Sequence, residues 1–390
     1  MITSYNVGTT LHFIASILNL GFKDPFPPYA GPSFKPPSNV PIALPVNLTA
    51  VFSRGFKPAM ENTWNASVQH AFKNDYLVTV AYIGRQDYHN PTALENSPGV
   101  YNGCLAVSPT CTQTDVNNNG ARLLAPNYQS VLGYSSIGTA SFNGVQVSVQ
   151  KRFTQGLQFS SNYTYSKTLD LSSQASNSNV GSVPDPFNPS FNYGIADSNT
   201  PQIWNNTFVY QSPKIESLGR IAGGFLGNWE VAGSWQFHSG RPLTINGGNN
   251  PLAVGGGDDN ASYSQVYDDY ADKVPGQSFG VHQGGKAHWL NEYFNTAAFT
   301  YNPPGTFGNV GRNPVYGPGW NQANLNFSKN FPFRERYNVQ FRWEMFNAFN
   351  HTVYGTPSTD YNTAGNGTFG QITSTGSPPR AMEAGLKLSF

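Results

Sequence analysis

"NGVQVSVQKRFTQGLQFSSNYTYSKT" (residues 143–168) alternates apolar and polar side chains along most of its length. Its first half places Val145, Val147, Val149 and Phe153 on one face and Gln146, Ser148, Gln150 and Arg152 on the other. The second half repeats the pattern, with Phe159 and Tyr163 on the apolar face. A period of two is that of a β-strand, and the short "TQG" between the halves is a hairpin connection. This stretch therefore predicts two antiparallel strands, each with one apolar face.

The same alternation recurs along the chain in seven further segments of about 10 to 14 residues. These predicted strands cover residues 62–72, 77–88, 203–211, 226–240, 321–331, 337–350 and the terminal "AMEAGLKLSF" (381–390). Strands of soluble proteins average roughly half this length, whereas about 9–11 residues are needed for a tilted strand to cross a bilayer. The strand lengths therefore favour transmembrane strands.

The connections between the predicted strands alternate in length. Those at 73–76, 154–156, 212–225 and 332–336 are short or medium, and those at 89–142, 169–202, 241–320 and 351–378 are long. In an antiparallel meander, successive connections lie at opposite ends, so all the long loops fall at one end. Outer-membrane barrels have this arrangement, with short periplasmic turns and long extracellular loops. A soluble β-sandwich or propeller would explain the alternation but neither the strand length nor this rule.

The sequence therefore predicts an all-β fold, an antiparallel transmembrane β-barrel meander with long extracellular loops. The apolar faces are expected to contact outer-membrane lipid. The polar faces, which carry Gln146, Gln150, Gln340 and Glu344, are expected to line a wet lumen. Aromatic residues, which make up 14% of the chain, would supply the girdles at the membrane interfaces.

Charge and composition restrict the possible partners. The net charge is +1, and no basic stripe is present, so a nucleic-acid partner is not expected. No apolar run is long enough for a transmembrane helix. The N-terminal "MITSYNVGTTLHFIASILNL" lacks the basic start and cleavage site of a signal peptide. Either the protein stays inside the cell or the true N-terminus lies upstream of Met1.

The sequence offers no motif for catalysis or cofactor binding in its required context. It has no Walker loop, H-E-x-x-H or C-x-x-C motif, and its one G-x-S-x-G match, "GQSFG" (276–280), lies in a predicted long loop and not at a strand-to-helix turn. No Ser, His and Asp grouping can be assembled from it, so neither an enzyme nor a cofactor-binding protein is expected.

Two sets of residues in the predicted long loops are candidate sites. Cys104 and Cys111 are close enough to form a small disulfide loop in an oxidising compartment, with two free thiols as the alternative. The longest loop contains an acidic cluster, and His282 and His288 lie in the same loop. The acidic residues are Asp258, Asp259, Asp268, Asp269 and Asp272. Their spacing matches no known Ca²⁺ loop, so a solvated acidic loop with surface histidines is favoured over a metal site.

An ordered set of segments carries a family resemblance. It includes "NTWNASVQHAF", "FNGVQVSVQKRFTQGLQFSSNYTYSKTLD", "LGNWEVAGSWQFHSGRPLTI", "YFNTAAFTYNPPGTFGNVGRNPVYGPG", "NLNFSKNFPFRERYNVQFRWEMFNAFNH" and "FGQITSTGSPPRAMEAGLKLSF". Together these segments resemble the C-terminal part of the Oar-like branch of TonB-dependent outer-membrane receptors. The resemblance covers most of residues 62–390, and residues 1–61 resemble an N-terminal strand and Pro-rich loop of the same barrel.

The resemblance implies a 22-stranded barrel that is plugged by an N-terminal domain and exported by a signal peptide. It also implies a short N-terminal box that contacts the TonB complex. None of these N-terminal parts is recognised in the sequence, so the chain is expected to form about half of such a barrel. Residues 62–390 would be its C-terminal half, and TonB would be contacted only through the missing N-terminal region.

Two functions are compatible with these observations. The first is an outer-membrane receptor that imports or exports a large solute whose identity the sequence does not give. The second is a non-transporting surface protein whose long loops bind a partner or a polysaccharide. An open reading frame that continues upstream of Met1 into a plug domain would favour the first.

The C-terminal strand resembles the signal that the barrel-assembly machinery reads in outer-membrane proteins. That signal is an alternating apolar strand with a terminal aromatic residue, and the matching positions are Met382, Ala384, Leu386, Leu388 and Phe390. Deleting Phe390 from the complete gene product is expected to lower the amount of protein in the outer membrane, while unassembled chain is degraded or accumulates in the periplasm. Unchanged outer-membrane levels and unchanged heat-modifiable gel mobility would contradict the assembly role.

Overall fold

The computed structural model of the chain describes residues 46–73, 75–97, 123–124, 127–173, 183–215, 217, 219–247, 270–280, 285–301, 308–333, 337–361 and 367–390. The described residues form fifteen strands and two α-helices. The strands are β1 (Val46–Phe52), β2 (Met60–Phe72), β3 (Tyr76–Glu95), β4 (Tyr128–Thr154), β5 (Leu157–Asp170), β6 (Gly194–Ile195), β7 (Gln202–Gln211), β8 (Trp229–His238), β9 (Pro242–Leu243), β10 (Asp272–Lys273), β11 (Phe299–Thr300), β12 (Val315–Tyr316), β13 (Trp320–Phe333), β14 (Tyr337–Phe346) and β15 (Ala381–Ser389). The helices are α1 (Gly219–Leu226) and α2 (Lys286–Asn291). Two 3₁₀ turns lie at Pro189–Asn192 and Thr296–Ala298.

Nine long strands form one antiparallel meander in which each strand pairs with the next long strand along the chain. The order is β2-β3-β4-β5-β7-β8-β13-β14-β15. These are the nine strands that the alternation predicts, so the predicted meander is confirmed. Within the described residues the sheet is open, with β2 and β15 at its two edges. No helix in the described part of the chain has the length and apolarity needed to cross a membrane.

The pairing register keeps the two kinds of side chain on separate faces across the sheet. Residues that pair across an antiparallel ladder lie on the same face. One row of pairs is entirely polar and runs through Gln69, Thr79, Ser148, Asn162, Asn205, Gln236 and Gln322. The next row is mostly apolar and runs through Val68, Val80, Val147, Tyr163, Trp204 and Phe237. The two-faced wall that the sequence predicts is therefore present.

The polar face is the concave one. Side chains of β2 to β5 on this face, among them Gln69, Thr79, Gln146 and Ser148, line a trough of about 290 Å³. The other face exposes large apolar side chains, which a soluble protein would bury. Val68 is 74% exposed and Leu386 is 75% exposed. This distribution fits a barrel wall with lipid outside and water inside.

Polar groups on the apolar face are hydrogen-bonded to one another. Ser161 Oγ donates to Asn206 Oδ1 at 2.7 Å and accepts from Trp204 Nε1 at 2.9 Å. Trp235 Nε1 donates to Asn321 Oδ1 at 2.6 Å. Because hydrocarbon offers no hydrogen-bonding partners, such pairing lowers the cost of polar side chains on this face.

The short and long connections lie at opposite ends of the meander, as the sequence predicts. The connections at 73–75, 155–156, 212–228 and 334–336 lie at one end, and those at 96–127, 171–201, 239–319 and 347–380 lie at the other. The first long connection is shorter than the predicted 89–142, because β3 continues to Glu95 and β4 begins at Tyr128. The "HNP" at 89–91 indicates a strand end, but the structure accommodates it as a break in register at Asn90, with a positive φ of 61° at His89.

The hairpin of β3 and β4 consequently extends beyond the rest of the sheet at the long-loop end. There β1 pairs in parallel with residues 128–134 of β4, along the edge that β5 leaves free. Residues 1–45 of the predicted N-terminal segment 1–61 lie outside the described residues, and the division at residue 62 stays a prediction.

The two faces predict opposite responses to charge at neighbouring positions. Val147 lies on the apolar face seven residues from the end of β4, and Ser148 lies on the polar face. Val147→Arg is expected to destabilise the folded barrel by about 2–4 kcal/mol, because the guanidinium would enter hydrocarbon, while Ser148→Arg should be tolerated. Folding titrations in lipid with both variants of the complete protein measure this difference. Equal sensitivity at the two positions would contradict the orientation of the sheet.

Candidate functional site

The long connections fold over one another at their end of the sheet into a single unit, which we call the loop cap. It consists of the described parts of 171–201, 239–319 and 347–380. An isolated bridge between Asn246 and Asp360 joins the second of these connections to the third, and the N–H of Tyr293 donates to the carbonyl of Gly370 across the same boundary. The short strands β9 and β12 pair with each other, as do β10 and β11. The described parts of these three long connections therefore have tertiary structure of their own.

An apolar core holds the loop cap together. Its fully buried members are Ile245, Ala271, Phe294, Ala298, Phe299 and Val315. Phe369, from the connection that follows β14, packs edge-on against Phe294 at 5.1 Å and against Phe299 at 5.9 Å between ring centroids. Burial in this part of the cap raises the pKa of Tyr293 to about 12, so its hydroxyl stays neutral at physiological pH. Two connections that are distant in sequence thus share one core.

A buried ion pair attaches the loop cap to the barrel wall. Arg312, in the cap, pairs through Nη2 with the carboxylate of Asp170 at the end of β5, and their side chains are only 7% and 14% exposed. The same Nη2 donates to the carbonyl of Asp170 at 3.0 Å and to that of Ile195 at 3.1 Å. One guanidinium therefore joins three parts of the chain.

Two buried asparagines reinforce this attachment. Asn313 donates through Nδ2 to the carbonyl of Ile195 at 2.7 Å and to Asp197 Oδ1 at 2.6 Å. Its positive φ of 56° is a conformation that asparagine tolerates better than most residues. Asn199 accepts from the N–H of Thr168 and donates to the hydroxyl of Tyr316, both at hydrogen-bonding distance. The "GRNPVYG" segment is thus the point at which the cap meets the wall.

A cavity of about 790 Å³ opens on the inner face beside this attachment. Its walls are β2 to β5 together with Ser172 and Ser198 of the connection that follows β5. Three carboxylates lie in one cross-strand row on this wall: Glu61, Asp87 and Asp170, with Ala140 between the last two. The cavity therefore contains a row of charged groups beside apolar side chains such as Ile83 and Phe142.

Arginine side chains compensate the carboxylate row. Arg85 binds Asp87 through two hydrogen bonds of 2.8 Å, from Nε and Nη2, and its Nη2 lies 3.1 Å from Glu61 Oε2. Asp170 is compensated by Arg312, which comes from the loop cap rather than from the wall. The charge balance of the cavity thus depends on the position of the cap.

The residues of the predicted assembly signal all lie in β15 or directly after it. Met382, Ala384, Leu386 and Leu388 share the apolar face with their β14 partners Met345, Trp343, Phe341 and Val339. Phe390 follows the strand at its short-turn end and is 91% exposed. Its role in assembly stays a prediction.

The other candidates from the sequence fall mostly outside the described residues. Cys104, Cys111, His282 and the four aspartates Asp258, Asp259, Asp268 and Asp269 lie there. Asp272 is described: burial raises the pKa of its carboxyl, and the hydrogen bond from the N–H of Asn309 opposes this rise. His288 lies on α2, and its Nε2 is 3.6 Å from Oε2 of Glu292, the residue that follows the helix. Among the described residues, no group of three or more His, Cys, Asp or Glu is arranged to hold a metal ion.

Sequence patterns did not identify the residues that shape the site. Arg312 and Asp170 are 142 residues apart, and no local motif connects them. Arg85 lies on the polar face of an alternating strand, where any polar residue fits the pattern. The signal that could have found the attachment is the "GNVGRNPVYGPG" segment, which carries the family resemblance and has too many polar residues and glycines for a strand.

Arg312 provides a test of the attachment, with Arg241 as the matched control because its side chain is exposed in the same connection. Arg312→Met leaves the Asp170 carboxylate buried without its partner, a change that costs about 3–5 kcal/mol at buried pairs. We expect the loop cap of this variant to be cleaved much faster by protease added to intact cells, while Arg241→Met behaves as wild type. Equal cleavage rates for the two variants would contradict the role of Arg312.

The family model described as outer membrane beta barrel domain matches residues 3–383. No curated protein matches the chain. Similar solved structures include the outer membrane transporter YddB from Escherichia coli, which is 9% identical over 88% of this chain and 34% of that chain, with a TM-score of 0.41. FpvA of P. aeruginosa bound to heterologous pyoverdines is 10% identical over 85% of this chain and 28% of that chain, with a TM-score of 0.38. The FrpB iron transporter from Neisseria meningitidis is 10% identical over 88% of this chain and 33% of that chain, with a TM-score of 0.36. This chain spans about a third of the length of each. On the family match, which covers nearly the whole sequence, the chain belongs to the outer membrane beta barrel domain family and is a bacterial outer-membrane protein.

Proposed function

We propose that the chain is part of a transporter in the outer membrane that takes up a large solute through the barrel lumen. The observation that carries the proposal is the continuous polar inner face, which leads from the charged cavity beside the loop cap towards the short-turn end. A wall of amide and hydroxyl groups suits the passage of a hydrated solute.

The segments quoted above support a narrower assignment to the Oar-like branch of TonB-dependent receptors. In that assignment, the TonB complex acts on a region outside the sequence described here, and the barrel-assembly machinery inserts the chain. The solute stays unidentified. We further propose that the protein is not an enzyme, needs no cofactor and binds no nucleic acid, since no catalytic motif and no basic stripe supports another role.

Cysteine labelling from outside the cell tests whether the inner face lies on a solute pathway. Ser148→Cys is made in the complete gene product after Cys104 and Cys111 are replaced by Ser. The reagent is a polymer-linked maleimide that is too large for general porins. We expect labelling of intact energised cells, and we expect a protonophore to reduce it because TonB-dependent opening needs the proton gradient.

Val147→Cys is the matched control, because it lies one residue away on the apolar face. It should remain unlabelled under both conditions. Absence of labelling at Ser148→Cys with and without the gradient would instead favour the non-transporting surface protein. Labelling that does not change with the protonophore would indicate an open pore and would contradict TonB coupling.

A further inference from the structure

Helix α1 lies on the apolar side of the sheet at the short-turn end. It belongs to the connection 212–228, which is the longest one at that end. The ring of Phe225 packs against Phe331 of β13 at 5.8 Å, and the Nε1 of Trp229 donates to the carbonyl of Phe225 at 3.0 Å. Phe331 and Trp229 both belong to the apolar face. The helix therefore rests against the outside of the wall rather than at the lumen.

A lysine on the apolar face fixes the end of this helix. Lys329 of β13 occupies a position where the alternation requires an apolar residue, and it is only 1% exposed. Its Nζ donates to the carbonyl of Phe225 at 2.9 Å and to that of Gly227. The rings of Trp229 and Phe331 lie 5.2 Å and 5.4 Å from the same Nζ. A buried ammonium thus binds carbonyl groups at the C-terminus of α1, where the helix dipole is negative.

Beyond the contact of Phe225 with Phe331, the described residues leave the apolar side chains at the C-terminal end of α1 largely uncovered. Phe225 is 66% exposed and Leu226 is 58% exposed. The helix, "GRIAGGFL", contains no acidic residue. These side chains continue the exposed apolar surface of the barrel wall, which faces lipid in an outer-membrane protein. The lipid boundary is therefore the neighbour that their position provides.

We propose that α1 is a membrane-interface helix that inserts Phe225 and Leu226 into the phospholipid leaflet at the periplasmic end of the barrel, with Lys329 holding it against the wall. An amphipathic helix that lies along the interface buries its apolar residues at the boundary between headgroups and acyl chains. The hydrogen bonds of Lys329 give the ammonium two carbonyl acceptors, that of Phe225 in the last turn of the helix and that of Gly227 directly after it. The connection 212–228 thereby binds lipid instead of extending into the periplasm.

The proposal is tested with an environment-sensitive fluorophore on Phe225→Cys, in the complete gene product without Cys104 and Cys111. The control is Lys214→Cys, because Lys214 is exposed in the same connection before the helix. Outer-membrane vesicles containing each variant are treated with iodide, a quencher in water, or with a nitroxide-labelled fatty acid, a quencher in the membrane. We expect the probe at 225 to be blue-shifted, quenched by the fatty acid and several-fold less quenched by iodide than the probe at 214.

Two outcomes would overturn the proposal. Quenching by iodide to the same extent at both positions would place α1 in water. A probe at 225 that neither reagent quenches would place the helix against a partner protein.

Adding Lys329→Met to the Phe225→Cys chain tests the lysine separately, and iodide quenching should then increase. Unchanged quenching would mean that Lys329 does not hold the helix.

Discussion

Hydrogen bonding between neighbouring strands is the interaction on which the rest of this structure depends. In hydrocarbon no water is available, so each backbone N–H and C=O must find its partner within the sheet. That requirement makes every strand pair with its neighbours, while the side-chain alternation and the short turns set the register. The register keeps the polar row from Gln69 to Gln322 on one face and the apolar row from Val68 to Phe237 on the other. The side chains of Ser161 and Asn321 follow the same requirement, because their hydrogen-bonding partners also lie on the outer face.

The nine long strands could be predicted from the sequence because a period of two is a local property of the chain. The length of the β3–β4 hairpin could not, because the effect of "HNP" depends on whether β4 continues beside it. The role of Lys329 could not be predicted from the sequence for a similar reason. Its position breaks the alternation, and only the folded connection 212–228 provides the carbonyls that make a lysine acceptable there. The candidate site was less predictable than the fold, since Arg312 and Asp170 meet only through the tertiary structure of the cap.

The cavity and the loop cap are linked by charge as well as by packing. The carboxylate row of the wall draws one of its two compensating arginines from the wall and the other from the cap. A cap that moved away would leave Asp170 facing the cavity without its cation. The apolar core around Phe294 and Phe299 opposes such movement within the cap, so the polar attachment at Arg312 is the joint between two parts that are each held together internally.

The extended hairpin of β3 and β4 makes one side of the barrel entrance project further than the rest. β4 has 27 residues, and its ladder with β5 begins only at Ala140, so residues 128–139 project about 40 Å beyond that ladder. β1 pairs alongside this projection, and the base of the projection is the wall of the cavity. A lateral force on its tip, such as that from a bound particle or an antibody, would act along β3, which carries Asp87 and Arg85. The outer tip and the inner charges therefore lie on one strand, with the register break at Asn90 between them.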